Sequence, residues 1–404
     1  MEALLLFVGG MALLGILVVP LSQRLGAPML LLVLAVGMLL GEDGIAGVQF
    51  DDFSAAYTVG SIALAIILFA GGLETDLRKT RGARFPAVLL ATVGVVITAL
   101  VTGFAATQII GVSIEVGMLL GAVVASTDAA ATFLMIQHGG VHISDRLRGT
   151  LVLESGLNDP MAIFLTILMT TLVDSGTKLS WDSLHGSLPL LASQLGLGGI
   201  LGVVSGRAAG YLIDRVCLPE GLYPPFALVT GLVVYSGTAL AGGSGFLAVY
   251  LCGMFLANSV TRPFERILQF NEGLQWLSQI LLFLMLGLLV TPSGLLANLP
   301  KALMVAAVLM FLARPVAVLL CAVPLGFSVK ETAFLGWVGL RGAVPIFLAI
   351  FPVITPGPVN VEFFNIVFVV VVTSLLLQGS TISLTARWLG LSKAQPPAAP
   401  PSTT

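Results

Sequence analysis

Charge is what this sequence has least of. Only 9% of its 404 residues are Asp, Glu, Lys or Arg and 57% are apolar, whereas a soluble globular chain carries about 25% charged residues. A soluble domain is therefore excluded, and the chain reads as an integral membrane protein. The 18 Lys and Arg against 20 Asp and Glu leave no basic surplus. No window interleaves basic and aromatic residues, so nucleic acid is excluded as a partner. Cysteine is also scarce. Cys217, Cys252 and Cys321 are odd in number and far apart, which leaves neither a disulfide framework nor a Cys-x-x-Cys metal site and makes them small apolar packing residues. No basic residue precedes the first apolar run, whose first positive charge is Arg24. It is read as a membrane helix rather than a cleaved signal peptide.

A hydrocarbon core of about 30 Å needs about 20 apolar residues per helix. Thirteen segments meet this requirement, near 3–22, 27–41, 57–74, 85–111, 114–137, 147–173, 186–213, 224–241, 245–260, 272–291, 300–323, 331–353 and 362–387. The expected fold is thus an all-α membrane protein of about thirteen transmembrane helices. Short cytoplasmic loops collect Lys and Arg. With the N-terminus outside, 14 of the 18 (Arg24, Arg78, Lys79, Arg81, Arg84, Arg146, Arg148, Arg207, Arg215, Arg262, Arg266, Lys330, Arg387 and Lys393) face the cytoplasm. Lys178 and Lys301 lie outside, and Arg314 and Arg341 fall within helices. The expected topology is N-terminus out, C-terminus in.

The two halves echo each other. Leu34-Ala35-Val36 before Gly37-Met38 resembles Leu247-Ala248-Val249 before Gly253-Met254 at an offset of 213, and Phe69 before Gly72-Leu73 resembles Phe283 before Gly287-Leu288 at 214. The shared offset equates the second segment with the ninth and the third with the tenth. A shift of seven crossings inverts the second copy, giving two inverted six-helix repeats, which is a transporter architecture.

The same offset aligns the fifth segment with the twelfth. Asp128 lies near the middle of the fifth, and its counterpart at +214 is Gly342, beside Arg341. Pro345 removes an amide donor and obstructs its helix. Both segments are therefore expected to break and cross at the midplane, where broken helices leave carbonyls and partly positive N-terminal ends to be satisfied. Asp128 suits two such ends, although a Ser-Thr-Asp patch would also serve simply to join helices.

The sixth segment carries Leu153-Glu154-Ser155-Gly156-Leu157-Asn158-Asp159-Pro160. A carboxylate in mid-membrane costs several kcal/mol, so function or pairing retains it. At about 100° per residue Ser155 and Asp159 share one face, Glu154 and Asn158 share the next, and Glu154 and Asp159 point about 140° apart. Pro160 leaves the Gly156 carbonyl without its amide partner. Arg341 keeps its proton and needs an anion, for which Glu154 is the expected partner. Asp159 then remains a carboxylate among oxygens, suited to a hard monovalent cation. Water-poor surroundings disfavour the bare anion, so a proton competes for the same oxygens. That competition suffices for exchange if the site faces one side at a time. A structural hydrogen-bond acceptor is the plainer alternative.

Taken jointly, Gly-Leu-Asn158-Asp159-Pro behind Glu154, Ser-Thr127-Asp128, Phe-x-x-Gly-Leu-Glu74 and Gly-Leu-Arg341-Gly-Ala resemble the NhaP-type monovalent cation:proton antiporters over essentially all thirteen segments. The resemblance implies a secondary transporter exchanging K+ or Na+ for a proton. It implies a homodimer in a bacterial-type plasma membrane, with no cofactor beyond the transported ions. A core of the fifth, sixth, twelfth and thirteenth segments would move like an elevator against the dimerisation part. Asn158 before a single Asp159, rather than two adjacent aspartates, implies electroneutral 1:1 exchange. Asp159 becomes the shared proton and cation ligand, Ser155 and Thr127 complete the site, and Asn158 steadies it. Glu154 and Arg341 form a structural ion pair, and Asp128 compensates the helix breaks. Glu74 lines the ion's access route, although an interfacial acid balancing Arg78 and Lys79 is an equally plain reading. The sequence departs from the common pattern at Ala129, where the family has Pro after the aspartate. The wording around Asp128 and Asp159 lies closest to the branch named for potassium/proton exchange and cell-volume regulation. Residues 1–394 form the expected transport domain and 395–404 a disordered Pro-rich tail.

Two rivals remain. Gly242-Gly243-Ser244-Gly245 matches the string of an intramembrane serine protease, but His138, His142 and His185 sit in expected loops or helix ends, leaving no buried base for Ser244. A cation channel also suits buried acids and broken helices; stoichiometric coupling to protons separates it from an antiporter.

Overall fold

Backbone amides have no water to bond within a bilayer, so a spanning segment must satisfy them itself. Accordingly, the computed structural model is built of helices, with no strand among the described residues, which are 2–25, 28–138, 141, 143–260 and 264–391. The tail 395–404, His142, Arg262 and Lys393 lie outside them. The helices are α1 Glu2–Leu25, α2 Met29–Leu40, α3 Phe53–Leu73, α4 Arg84–Ile110, α5 Ile114–Val123, α6 Ala129–His138, α7 Asp145–Asp174, α8 Trp181–Arg215, α9 Tyr223–Leu240, α10 Gly245–Ala257, α11 Phe264–Leu288, α12 Pro292–Leu325, α13 Val329–Trp337, α14 Ala343–Ile354 and α15 Val361–Trp388. Seven of these helical stretches are long and apolar enough to cross a membrane, and five further apolar helices are shorter.

The expected fifth segment is divided into α5 and α6, and the expected twelfth into α13 and α14. The tenth was expected over 272–291, yet α11 starts at Phe264. Hydropathy stops at Glu265, Arg266 and Glu272, whereas the hydrogen-bond ladder continues through them and carries polar residues into the protein.

The close approaches follow the inferred repeat crosswise. On α2 and α11, a Cβ added to Gly37 would lie 3.0 Å from the Cα of Gly287. On α3 and α10, a Cβ on Gly72 would lie 2.9 Å from the amide nitrogen of Met254, and one on Gly253 would lie 3.2 Å from that of Leu73. Gly37 and Gly253 play matching parts, as do Gly72 and Gly287. Each repeat also places a π-helical turn in its long helix, Leu90–Gly94 in α4 and Leu309–Ala313 in α12. The second ends immediately before Arg314, and such turns are frequent at functional sites.

A third contact explains the Gly-rich stretch of α8. Gly198, Gly202 and Gly206 repeat at the spacing that keeps one helix face. Added Cβ atoms there would meet the carbonyl oxygens of Ser244 at 2.8 Å, Ala248 at 2.6 Å and Cys252 at 2.5 Å. Three glycines thus let α8 lie directly on the backbone of α10. Ser244 is the N-cap of α10, its Oγ accepting the amide of Leu247 at 3.3 Å, which gives the Gly-Gly-Ser-Gly string a structural role.

Candidate ion-binding site

The two helix breaks face each other. α5 stops at Val123 and α6 starts at Ala129, while α13 stops at Trp337 and α14 starts at Ala343. Asp128 supplies the N-cap of α6, its Oδ1 accepting the Ala131 amide at 3.0 Å, and its own amide donates across to the carbonyl of Leu340 at 2.8 Å. Its other carboxylate oxygen lies over Gly342, the residue preceding α14, so closely that a Cβ there would collide with it. One carboxylate therefore stands between two helix N-termini, where the partial positive ends of both dipoles favour it. Ala129 in place of proline does not prevent the break.

Arg341 answers the opposite pole. Its Nη1 donates to the carbonyls of Ala125 at 2.7 Å and Ser126 at 2.5 Å, just past the end of α5. Its amide donates to Ser374 Oγ at 3.1 Å, and Ser374 donates in turn to Gln378 Oε1 at 2.6 Å. The guanidinium is 1% exposed and serves as a C-cap, since orphan carbonyls at a helix end require donors.

This corrects the expected pair of Glu154 with Arg341. Glu154 Oε1 instead accepts Arg314 Nη1 at 2.5 Å, with the two side chains 1% and 2% exposed. Arg341 does not need a carboxylate, because two carbonyls at the negative end of α5 already answer its charge. Arg314, placed by the π-helical turn of α12, is then left as the cation within reach of Glu154. A Cβ on Gly339 would lie 2.8 Å from Arg314 Nε, so both arginines abut the break between α13 and α14.

The remaining residues gather on α7. Ser155 Oγ donates to the Thr127 carbonyl at 2.8 Å, and Asn158 Nδ2 donates to Thr127 Oγ1 at 2.6 Å. These two bonds hold the non-helical stretch between α5 and α6 against α7. Asp159, 6% exposed, has an Oδ1 without a hydrogen-bond partner. Unsatisfied buried oxygens are rare in native structures and ask for an explanation. Gly156 lies one turn away, and a Cβ there would collide with the ring of the buried Tyr250, whose hydroxyl is 3.4 Å from Thr75 Oγ1.

A cavity of about 840 Å³ reaches this place, with Thr127, Asp128, Ser155 and Asp159 in its wall. Its mouth lies at the C-terminal end of α3 and the N-terminal end of α7, among Glu74, Asp76, Lys79, Asp145 and Arg148. Glu74 therefore does line the cavity, at the C-cap of α3. In the loop after it, the amide of Arg78 holds the Asp76 carboxyl below the usual range, assisted by Lys79, so that carboxylate stays charged at neutral pH. At the opposite end α14 packs on α3 and α10 through aromatic rings. Tyr57 stacks on Phe347 at 5.1 Å between centroids with planes 8° apart, and Phe246 meets Phe347 edge-on at 6.5 Å. Glu272, Gln275 and Gln279 of α11 also line the cavity. Their signal in the sequence is a polar stripe at the i, i+3, i+7 spacing, weaker than a cluster of carboxylates because two of its three members are uncharged.

The family described as sodium/hydrogen exchanger, transmembrane, matches residues 10–388. The chain is 46% identical over 394 residues to the K(+)/H(+) antiporter NhaP of Alkalimonas amylolytica, covering 97% of this chain and 68% of that one. It is 44% identical over 387 residues to the K(+)/H(+) antiporter NhaP2 of Shewanella baltica (strain OS223), covering 95% of this chain and 66% of that one. The chain thus spans about two-thirds of the length of these curated relatives. The fold is similar to that of the sodium proton antiporter MjNhaP1 from Methanocaldococcus jannaschii, with a TM-score of 0.83 at 24% identity over 97% of this chain and 100% of that one. The match across nearly the whole transmembrane part establishes that this chain belongs to the sodium/hydrogen exchanger family.

Proposed function

We propose that the protein exchanges a monovalent cation for a proton, one for one, at Asp159. The observation that carries this reading is the unpartnered Oδ1 of a buried carboxyl at the inner end of a large cavity. A carboxyl so placed can hold a proton or a cation, and the loss of one makes room for the other. Thr127 and Ser155 stand beside Asp159 to complete an oxygen cage, with Asn158 holding Thr127 in place. Asp128, Arg341 and the Glu154–Arg314 pair neutralise the helix ends and fix the frame. Glu74 stands at the access route.

Relatives named K(+)/H(+) antiporters at 44–46% identity favour potassium as the cation. A Na(+)/H(+) antiporter of Aphanothece halophytica at 30% identity keeps sodium as the second reading. Lys79 and Arg148 at the mouth, with Arg84 and Arg146 close by in the sequence, support a cavity facing the cytoplasm, with the N-terminus outside. The ring packing of Tyr57, Phe246 and Phe347 then forms the outer seal. α5, α6, α7, α13, α14 and α15 make the moving core, and a homodimer formed through the remaining helices provides its fixed frame.

Proteoliposomes carrying a pH-sensitive dye test this. Added potassium should drive proton movement at a rate independent of clamped membrane potential, and Asp159→Asn should abolish it while the purified protein still melts cooperatively. Voltage-dependent exchange would overturn the one-for-one stoichiometry; activity surviving in Asp159→Asn would overturn the site.

A further inference from the structure

α11 presents a polar stripe to the cavity that the chemistry at Asp159 does not use. Glu272, Gln275 and Gln279 all line it. At 1.5 Å rise and 100° per residue, Glu272 and Gln279 lie about 20° apart in azimuth and about 10 Å apart along the axis, with Gln275 between them. Glu272 is at the mouth end, because α10 finishes there: Asn258, its C-cap, donates to the Thr75 carbonyl at 2.9 Å. Glu74 and Arg148 share the cavity wall with Glu272.

Gln275 is 7% exposed and Gln279 is 4% exposed, and the amide oxygen of Gln275 has no hydrogen-bond partner. Burying an uncompensated amide is unfavourable, and hydrophobic residues would fill this helix face without that penalty. An amide can turn either end toward the cavity. Its oxygen is of the same neutral carbonyl type as the backbone oxygens that replace an ion's hydration shell in selectivity filters.

We propose that Gln275 and Gln279, between the Glu74–Glu272 mouth and Asp159, form a second station for a monovalent cation, where the ion exchanges part of its water for amide oxygens and where the preference among alkali cations is set. The two glutamates concentrate cations without holding them, and the glutamines select by the fit of neutral oxygens. Asp159 then receives an ion already partly dehydrated. The proposal rests on the cation exchange inferred above.

The experiment measures binding of rubidium, sodium and lithium to the purified full chain by calorimetry in the Asp159→Asn background, which removes the exchange site. Saturable rubidium binding should persist there and weaken by about tenfold or more, or about 1.4 kcal/mol, when Gln275→Leu and Gln279→Leu are added. If Asp159→Asn binds none of the cations saturably, or the glutamine changes leave rubidium binding unaltered, the station does not exist. Should the leucine variant fail to fold, Gln275→Asn with Gln279→Asn keeps the polarity but withdraws the oxygens, and the same weakening is expected. In proteoliposomes, the glutamine changes in the otherwise unaltered chain should shift the ratio of half-saturating potassium to sodium by about fivefold, somewhat under the energy of the tenfold step; an unmoved ratio overturns the selective role. Exchange that survives Asp159→Asn would instead count against the proposed exchange site, whatever the glutamines do.

Discussion

Glu154 and Arg314 are the costliest residues to separate. Both are essentially inaccessible, and removing one partner of such a pair leaves a bare charge in a medium that cannot solvate it, at a cost of about 3–5 kcal/mol. Arg314→Met should therefore lower the melting temperature strongly, and adding Glu154→Gln should recover most of the loss, since two neutral groups need no compensation. Arg341→Met should not be rescued by Glu154→Gln, because Arg341 is held by the Ala125 and Ser126 carbonyls. Melting of the four variants checks this; rescue of Arg341→Met would return Glu154 to Arg341. The acids themselves were legible in the sequence, since any carboxylate in an apolar span stands out. Their partners were not: two arginines at similar depth offered themselves, and the choice depends on a π-helical turn that no periodicity of 3.6 reveals.

Between residues and molecule stand the two interrupted helices, which depend on closeness as much as on charge. Gly342 is there because Asp128 occupies the space a Cβ would need. Gly342→Ala must push the carboxylate away from one N-terminus or the two breaks apart, and overpacking of this kind costs about 1–3 kcal/mol. The expected result is a lower melting temperature together with a loss of exchange; Gly336→Ala, whose Cβ would find its nearest neighbour at an ordinary 3.4 Å, is the control. A variant that melts and transports like the parent would show that the approach of Asp128 to Gly342 is not required. The break in the twelfth segment was legible from Pro345 and Arg341. The break in the fifth was less so, because it relies on Asp128, Arg341 and Thr127 bonds supplied by other segments, and the early start of α11 was hidden by its charged first turns.

Across the whole molecule, a cavity reaches Asp159 from one end and aromatic rings pack at the other; under the proposed exchange, a proton and a cation that share the Asp159 oxygens use them in turn. This fixes the sign of the pH dependence. Below the titration midpoint of Asp159 each unit fall in pH cuts the deprotonated fraction about tenfold, so the half-saturating cation concentration should rise about tenfold per unit. Above the midpoint the carboxylate is already bare, and the half-saturating concentration should level off. Measuring it from about pH 5.5 to 9 in proteoliposomes, with potassium and sodium separately, should trace the same bend for both cations, because the midpoint belongs to the protein and not to the ion. A maximal rate that varies with pH over a flat half-saturation would place the proton elsewhere. The described acids facing the cavity mouth, Glu74, Asp76, Asp145 and Glu272, would then be the groups to neutralise one at a time. Competition predicts that such changes shift the curve vertically, through local cation concentration, without moving its bend.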